Sequence, residues 1–289
     1  MMRFLVLITL VLAPSSICAD PQPAPTLKLL TAGKNPTRVL RLTPKVGTRS
    51  TIEITDESTR ARGAIGNVGP AEPMPSTRQL LECEVTAVEP NGDFRVETVV
   101  DKIDVRAPKR TSPAQAQAMK AQLTALVGAK SYAVASDRGV TRESGSTPPQ
   151  GATDELKQQL QALQGIQSQI MAPFPEQPVG VGARWELTMT VTTPQDGGSL
   201  VVNQTATFEL VELAGTRGKI AIKLRQTGKT SDGELTMSTT GNGMITFDLV
   251  FRSATRARLD TRSETQLKNS RIALGQVNTT KLTITSKPH

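Results

Sequence analysis

Gly180-Val181-Gly182-Ala183-Arg184-Trp185-Glu186-Leu187-Thr188-Met189-Thr190 repeats the pattern of Lys45-Val46-Gly47-Thr48-Arg49-Ser50-Thr51-Ile52-Glu53-Ile54-Thr55, with four of eleven positions identical. In each copy a Val-Gly turn leads into a stretch that alternates along a strand. The likeness continues downstream. Leu81-Glu82-Cys83-Glu84-Val85-Thr86-Ala87-Val88 has its counterpart in Ala206-Thr207-Phe208-Glu209-Leu210-Val211-Glu212-Leu213. Both lead through a Gly-containing turn to another alternating strand, Phe94 to Val100 in one copy and Ile220 to Leu224 in the other. Self-similarity in a fixed order predicts two structural units on one β-rich scaffold.

The chain around this repeat is long enough for a substantial core. It has 289 residues, a formal net charge of +8 and only 3% aromatic residues. Arg3, the apolar run Phe4 to Leu12, the Pro14-Ser15-Ser16 break and Ala19 have the layout of a secretory leader cleaved after Ala19. Lipidation at Cys18 is the rival, and Ile17 fits poorly beside a lipidated cysteine. The expected location is therefore secreted or periplasmic, with no transmembrane segment downstream. Cleavage leaves Cys83 as the single thiol, so no intramolecular disulfide is available. On an alternating strand Cys83 reads as a small buried hydrophobe.

Residues 20–37 are Pro-rich without periodicity and read as a flexible tether, followed by one domain over 38–289. Within it, 38–143 and 172–289 form the two repeats, joined by a linker and helix over 144–171. A first short strand is expected over Val39–Thr43. The Gly- and Pro-rich run 60–75 is expected to be a long connection, where the second copy has only a hairpin at Asp196-Gly197-Gly198. Ser112-Pro113 starts a helix over 112–127, with Met119, Leu123 and Leu126 on one face. A second helix over 154–171 carries an apolar stripe that includes Leu156, Leu160, Leu163, Ile166 and Ile170. The fold class is thus α+β but β-dominated: two related antiparallel units in a curved or partly closed, half-barrel-like sheet with two helices packed on it.

Phe174-Pro175-Glu176-Gln177-Pro178-Val179-Gly180-Val181-Gly182-Ala183-Arg184-Trp185 is the most distinctive run. It resembles an uncharacterised family of secreted bacterial proteins in which a Phe-Pro-x-x-Pro-Val-x-Val-Gly-x-x-Trp run precedes a strand. That resemblance implies an exported β-rich fold and carries no site residues. The expected architecture is also loosely similar to the half-barrel periplasmic lipoprotein carriers, a fold-level likeness only.

Catalytic chemistry finds little to stand on. The single histidine is His289, the last residue, so Ser-His and Cys-His catalysis lack a base and His-rich metal sites lack ligands. Phosphate-loop and dinucleotide motifs are absent. Asp56-Glu57 and Asp154-Glu155 are adjacent acids at a strand end and a helix start, which leaves a carboxylate-based hydrolase as a distant third reading. No cofactor or metal is expected. Nucleic acid is disfavoured by export and by too few aromatics for base stacking. Arg252, Arg256, Arg258 and Arg262 fall on one face of a predicted strand, solvated or in contact with an anionic envelope component. The leading expectation is a non-enzymatic exported protein holding an apolar or amphipathic ligand, lipid among the candidates, against Leu160, Leu163, Phe247 and Leu249. The alternative is a structural or interaction component of the envelope.

Overall fold

The computed structural model describes residues 25–108, 112–148, 172–195, 198–251, 254–268 and 273–289. It is built on one antiparallel sheet. The strands are β1 (Thr26–Thr31), β2 (Arg49–Ala64), β3 (Asn67–Val68), β4 (Glu72–Pro73), β5 (Ser76–Val88), β6 (Phe94–Arg106), β7 (Lys130–Ala135) and β8 (Thr141–Thr147). The second part adds β9 (Arg184–Gln195), β10 (Gly198–Ala214), β11 (Arg217–Thr230), β12 (Leu235–Asp248), β13 (Ala254–Lys268) and β14 (Ala273–Pro288). Their order in the sheet is β1-β9-β10-β11-β12-β13-β14-β2-β5-β6-β7-β8, with β3 and β4 pairing on β2. Among the described residues the path does not close by strand pairing, and β1 and β8 are its edges. The join between the two parts is the long pairing of β14 with β2, from Gly275↔Gly63 to Pro288↔Ser50.

The turns that open β2 and β9 are hydrogen-bonded alike. The Gly47 N–H donates to the Val85 carbonyl at 2.8 Å and the Gly182 N–H to the Leu210 carbonyl at 2.7 Å. The Val85 and Leu210 N–H groups return bonds to Thr48 and Ala183 at 3.0 and 2.9 Å. Gly47 and Gly182 have φ of 82° and 85°, a conformation that costs an L side chain dearly. The following pairings slip register at matching places, Val85/Ala87 and Leu210/Glu212. Outward ion pairs match as well: Arg49–Glu84 at 3.1 Å and Arg184–Glu209 at 2.9 Å.

Two irregular straps, residues 32–48 and 172–182, tie the ends of the sheet together. Arg38 and Val179 exchange backbone bonds of 3.0 and 2.9 Å. Leu42 and Phe174 donate to the carbonyls of Asp137 and Arg138, in the turn between β7 and β8, at 2.6 and 2.8 Å. Thr43 donates to Leu249 in the turn after β12 at 2.7 Å. Two ion pairs reinforce this, Arg41–Asp137 at 3.0 Å and Arg138–Glu176 at 3.1 Å. The straps therefore join the β8 side of the sheet to the β9 side. Val85 and Phe94 from one part share a single core with Trp185, Phe208 and Ile220 from the other. Trp185 is fully buried, donates from Nε1 to the Pro173 carbonyl at 2.7 Å, and stacks on Phe208. Cys83 is buried.

Three expectations are corrected. Thr26–Thr31, inside the supposed tether, is the edge strand β1, because Leu27 and Leu29 alternate against the core while β1 pairs with β9. Residues 39–43 are not a strand; their backbone groups are used in the strap. The Gly/Pro-rich run 60–75 is not one long loop. β2 continues to Ala64, and β3 and β4 fold back on it as short pairings that Gly63 makes sterically possible. The first helix, α1, spans Pro113–Thr124, with Met119 and Leu123 half-buried. The expected second helix, 154–171, lies outside the described residues.

Two glycines at the strap separate two kinds of strain. A methyl on Gly182 meets nothing within 4 Å, so Gly182→Ala should cost only its backbone conformation, about 1–2 kcal/mol in urea unfolding. A methyl on Gly180 would collide with the Lys34 carbonyl, so Gly180→Ala should cost more than about 3 kcal/mol. Equal losses for the two variants would show that the straps do not depend on close backbone approach.

Candidate functional site

Strand periodicity places every second side chain on the sheet's inner face. Register then groups these inward side chains into rows that cross the sheet. One row reads Leu210, Ile220, Ile245, Ala257, Ile284, Ile54, Gln79 and Ile103, apolar except for Gln79. Two residues further along each strand come Phe208, Ile222, Gly243, Leu259, Leu282, Asp56, Thr77 and Val105. A third row contains Leu224, Gly241, Thr261, Thr280 and Ser58. The fourth is wholly polar: Gln204, Gln226, Thr239, Ser263, Asn278 and Arg60. The inner face is thus graded from hydrocarbon to hydrogen-bonding groups.

Apart from half-buried Arg60, the polar row is buried, with Gln204 at 3% and Gln226 at 1% exposure. Gln226 Nε2 donates to Gln204 Oε1, and Thr239 Oγ1 donates to Ser263 Oγ at 2.9 Å. Arg60 Nε donates to Asn278 Oδ1 at 3.4 Å, and one row on Arg62 Nε donates to Gln276 Oε1 at 3.0 Å. Among the described residues, Gln204 Nε2 and Gln226 Oε1 have no partner, which is costly for buried polar atoms. Burial, and then the adjacent Arg62 charge, hold the Arg60 guanidinium below its usual value.

Asp56 sits between the apolar and polar parts of β2. Its pKa is pushed up to about 6, first by burial and then by the charge of Glu57.

One groove lies where α1 crosses β6. It has a volume of about 710 Å³, is widely open to solvent, and is lined by Val105, Ala107, Ala116, Ala121 and Ala125 together with Gln117, Lys120 and Thr124. Val105 belongs to the graded inner face, so groove and sheet interior adjoin there.

The residues singled out from sequence fall in different places. Phe247 is fully buried, with its ring edge-on to Phe174 at 5.2 Å, and Leu249 is buried in the turn after β12. Leu160, Leu163 and Arg252 lie outside the described residues. Arg256, Arg258 and Arg262 share the exposed face of β13, as alternation requires. Acids interleave with them: Arg258 pairs with Asp260 at 2.9 Å and Arg262 with Glu264 at 3.0 Å. Phe251 and Leu249 do not continue that strand, because a turn intervenes before β13. Arg60, Arg62 and the buried amides went unnoticed in the sequence. The available signal was polar residues at inward parity, in Val202-x-Gln204-x-Ala206-x-Phe208 and Asp56-x-Ser58-x-Arg60-x-Arg62.

Among the described residues, no three His, Cys, Asp or Glu side chains converge as a metal site. No helix there is long and apolar enough to cross a membrane. No family model matches the chain, and no curated protein is similar to it. Among solved structures, the crystal structure of an outer membrane channel from Pseudomonas putida F1 aligns over 84% of this chain and 97% of that chain, at 8% identity and a TM-score of 0.22. That likeness is too slight to carry fold or function. On the sheet itself, the outward positions of β13 are Arg256, Arg258, Asp260, Arg262 and Glu264, a water-facing pattern rather than the apolar band a lipid-facing strand presents.

Asp56 gives the interior a pH signature. An acid whose folded pKa lies above its unfolded value of 3.8 stabilises the fold while protonated, and that contribution is lost as pH rises through about 6. Asp56→Asn should therefore match the wild type near pH 4 and exceed it at pH 7 by about 3 kcal/mol. Urea unfolding at the two pH values measures the difference, and an equal effect at both would place the Asp56 carboxyl in water.

Proposed function

We propose that this is an exported, non-catalytic protein that holds an amphipathic ligand, lipid among the candidates, against the inner face of the sheet and under α1. The observation that carries the reading is the grading of that face. Apolar rows from Phe208 to Leu282 suit a hydrocarbon tail, and the polar row beyond them suits a head group. A wide, open groove beside α1 meets the same face at Val105. Export rests on the leader at residues 1–19. The matching turns, register slips and Arg–Glu pairs support descent of the two parts from one duplicated unit, with its counterpart boundaries at 38–143 and 172–289.

A second reading is favoured by a different observation. Phe247 and Phe174 fill the space between the strap and β12, and a packed interior there suits a structural component of the envelope.

Native mass spectrometry of protein purified gently from its own envelope, followed by organic extraction, separates the two. The carrier reading expects a retained mass that extracts as lipid. Ala121→Trp, at an exposed groove position, should then lower the retained fraction about tenfold without lowering Tm. A bare polypeptide mass from the wild type favours the structural component.

A further inference from the structure

Arginines at outward and inward strand positions meet different partners. On the outer face they meet carboxylates: Arg49 with Glu84, Arg78 with Glu53, Arg184 with Glu209, Arg258 with Asp260 and Arg262 with Glu264. At the inward parity of β2, half-buried Arg60 and exposed Arg62 donate to the neutral carboxamides of Asn278 and Gln276. A carboxamide orients a guanidinium without cancelling its charge. It engages Nε and leaves the terminal nitrogens to reach another acceptor. Glu72 lies opposite Arg60 in the short β4 pairing, but its side chain is exposed.

Register completes the patch. Ser263 and Thr265 on β13 stand beside Asn278 and Gln276 on β14, which stand beside Arg60 and Arg62 on β2. Three strands by two inward positions span about 10 by 7 Å, the scale of one small head group. Ser263 Oγ accepts from Thr239, so its own proton is available to a ligand oxygen. The same row continues into the buried Gln204–Gln226 pair with its unpartnered amide atoms.

We propose that Arg60, Arg62, Ser263, Thr265, Gln276 and Asn278 form a site for a phosphoryl oxyanion. A carboxylate has two oxygens and is saturated by one guanidinium fork, whereas two forks and two hydroxyls call for the additional oxygens of a phosphoryl group. Such an anion offsets the repulsion between two adjacent arginines. Its source as a lipid head group rests on the amphipathic-ligand reading; the oxyanion site itself does not.

Titration calorimetry of the purified protein with three probes tests both. Lysophosphatidylglycerol carries a tail and a phosphodiester, monoolein a tail without phosphate, and inorganic phosphate the oxyanion alone. The expected result is lysophosphatidylglycerol binding at least about tenfold more tightly than monoolein, with competition by phosphate. Arg62→Gln, at an exposed position, should weaken lysophosphatidylglycerol about tenfold and leave monoolein unchanged. Arg60→Gln/Arg62→Gln should remove the preference altogether, with Tm unchanged or raised because two like charges are gone. Phosphate binding that depends on Arg60 and Arg62, with no lipid bound, upholds the oxyanion site and overturns the lipid carrier. Equal binding of both lipids, unaffected by Arg62→Gln, upholds the carrier and overturns the oxyanion site. Binding of none of the three overturns both.

Discussion

The backbone bonds of two straps determine the shape of everything else. An antiparallel path with β1 and β8 as free edges could lie open, exposing one face to water along its whole length. Residues 32–48 and 172–182 prevent this by joining the turn after β7 to the start of β9 and the turn after β12. Each strap N–H and C=O so used is satisfied inside the protein, in segments whose irregular backbone has no ladder of its own. With the two sides held together at one end, the apolar positions of β5 and β6 belong to the same core as those of β10 and β11.

That curl gives the two faces different chemistry. Outward side chains meet water and high dielectric, where Arg–carboxylate pairs contribute little each but keep a charged surface soluble. Inward side chains lose water, so an unmatched polar atom there is expensive. The protein nevertheless places Gln204, Gln226, Thr239, Ser263 and Asn278 inward in consecutive register. Leu or Val at those positions would have satisfied packing at lower cost. The row instead bonds partly within itself, through Gln204–Gln226 and Thr239–Ser263.

Much of the architecture was legible in the residues. Alternation revealed parts of β9, β10, β11 and β13 and the β dominance, and the repeated Val-Gly turns pointed to β2 and β9, because a turn that requires positive φ leaves a glycine behind. Leu27 and Leu29 were missed as β1: two alternating leucines among prolines are too short a signal, and only β9 gives them a partner. The run 60–75 was misread because Gly63 resembles a loop residue, whereas the close approach of Val68 is what requires it. Arg256, Arg258 and Arg262 lie on the exposed face of β13, and the acids that pair with Arg258 and Arg262 two residues along the strand were passed over.

By itself the sequence determined local geometry: which segments extend, where glycine permits a turn, which parity of each strand is apolar. These follow from steric and periodic rules that act within a few residues. The candidate site was decided only by tertiary structure. Gln204, Gln226, Thr239, Ser263, Asn278 and Arg60 are scattered from residue 60 to residue 278 and belong to five different pairings. They form one row because register, set across strands by the apolar positions further along, aligns residues that have no local relation to one another.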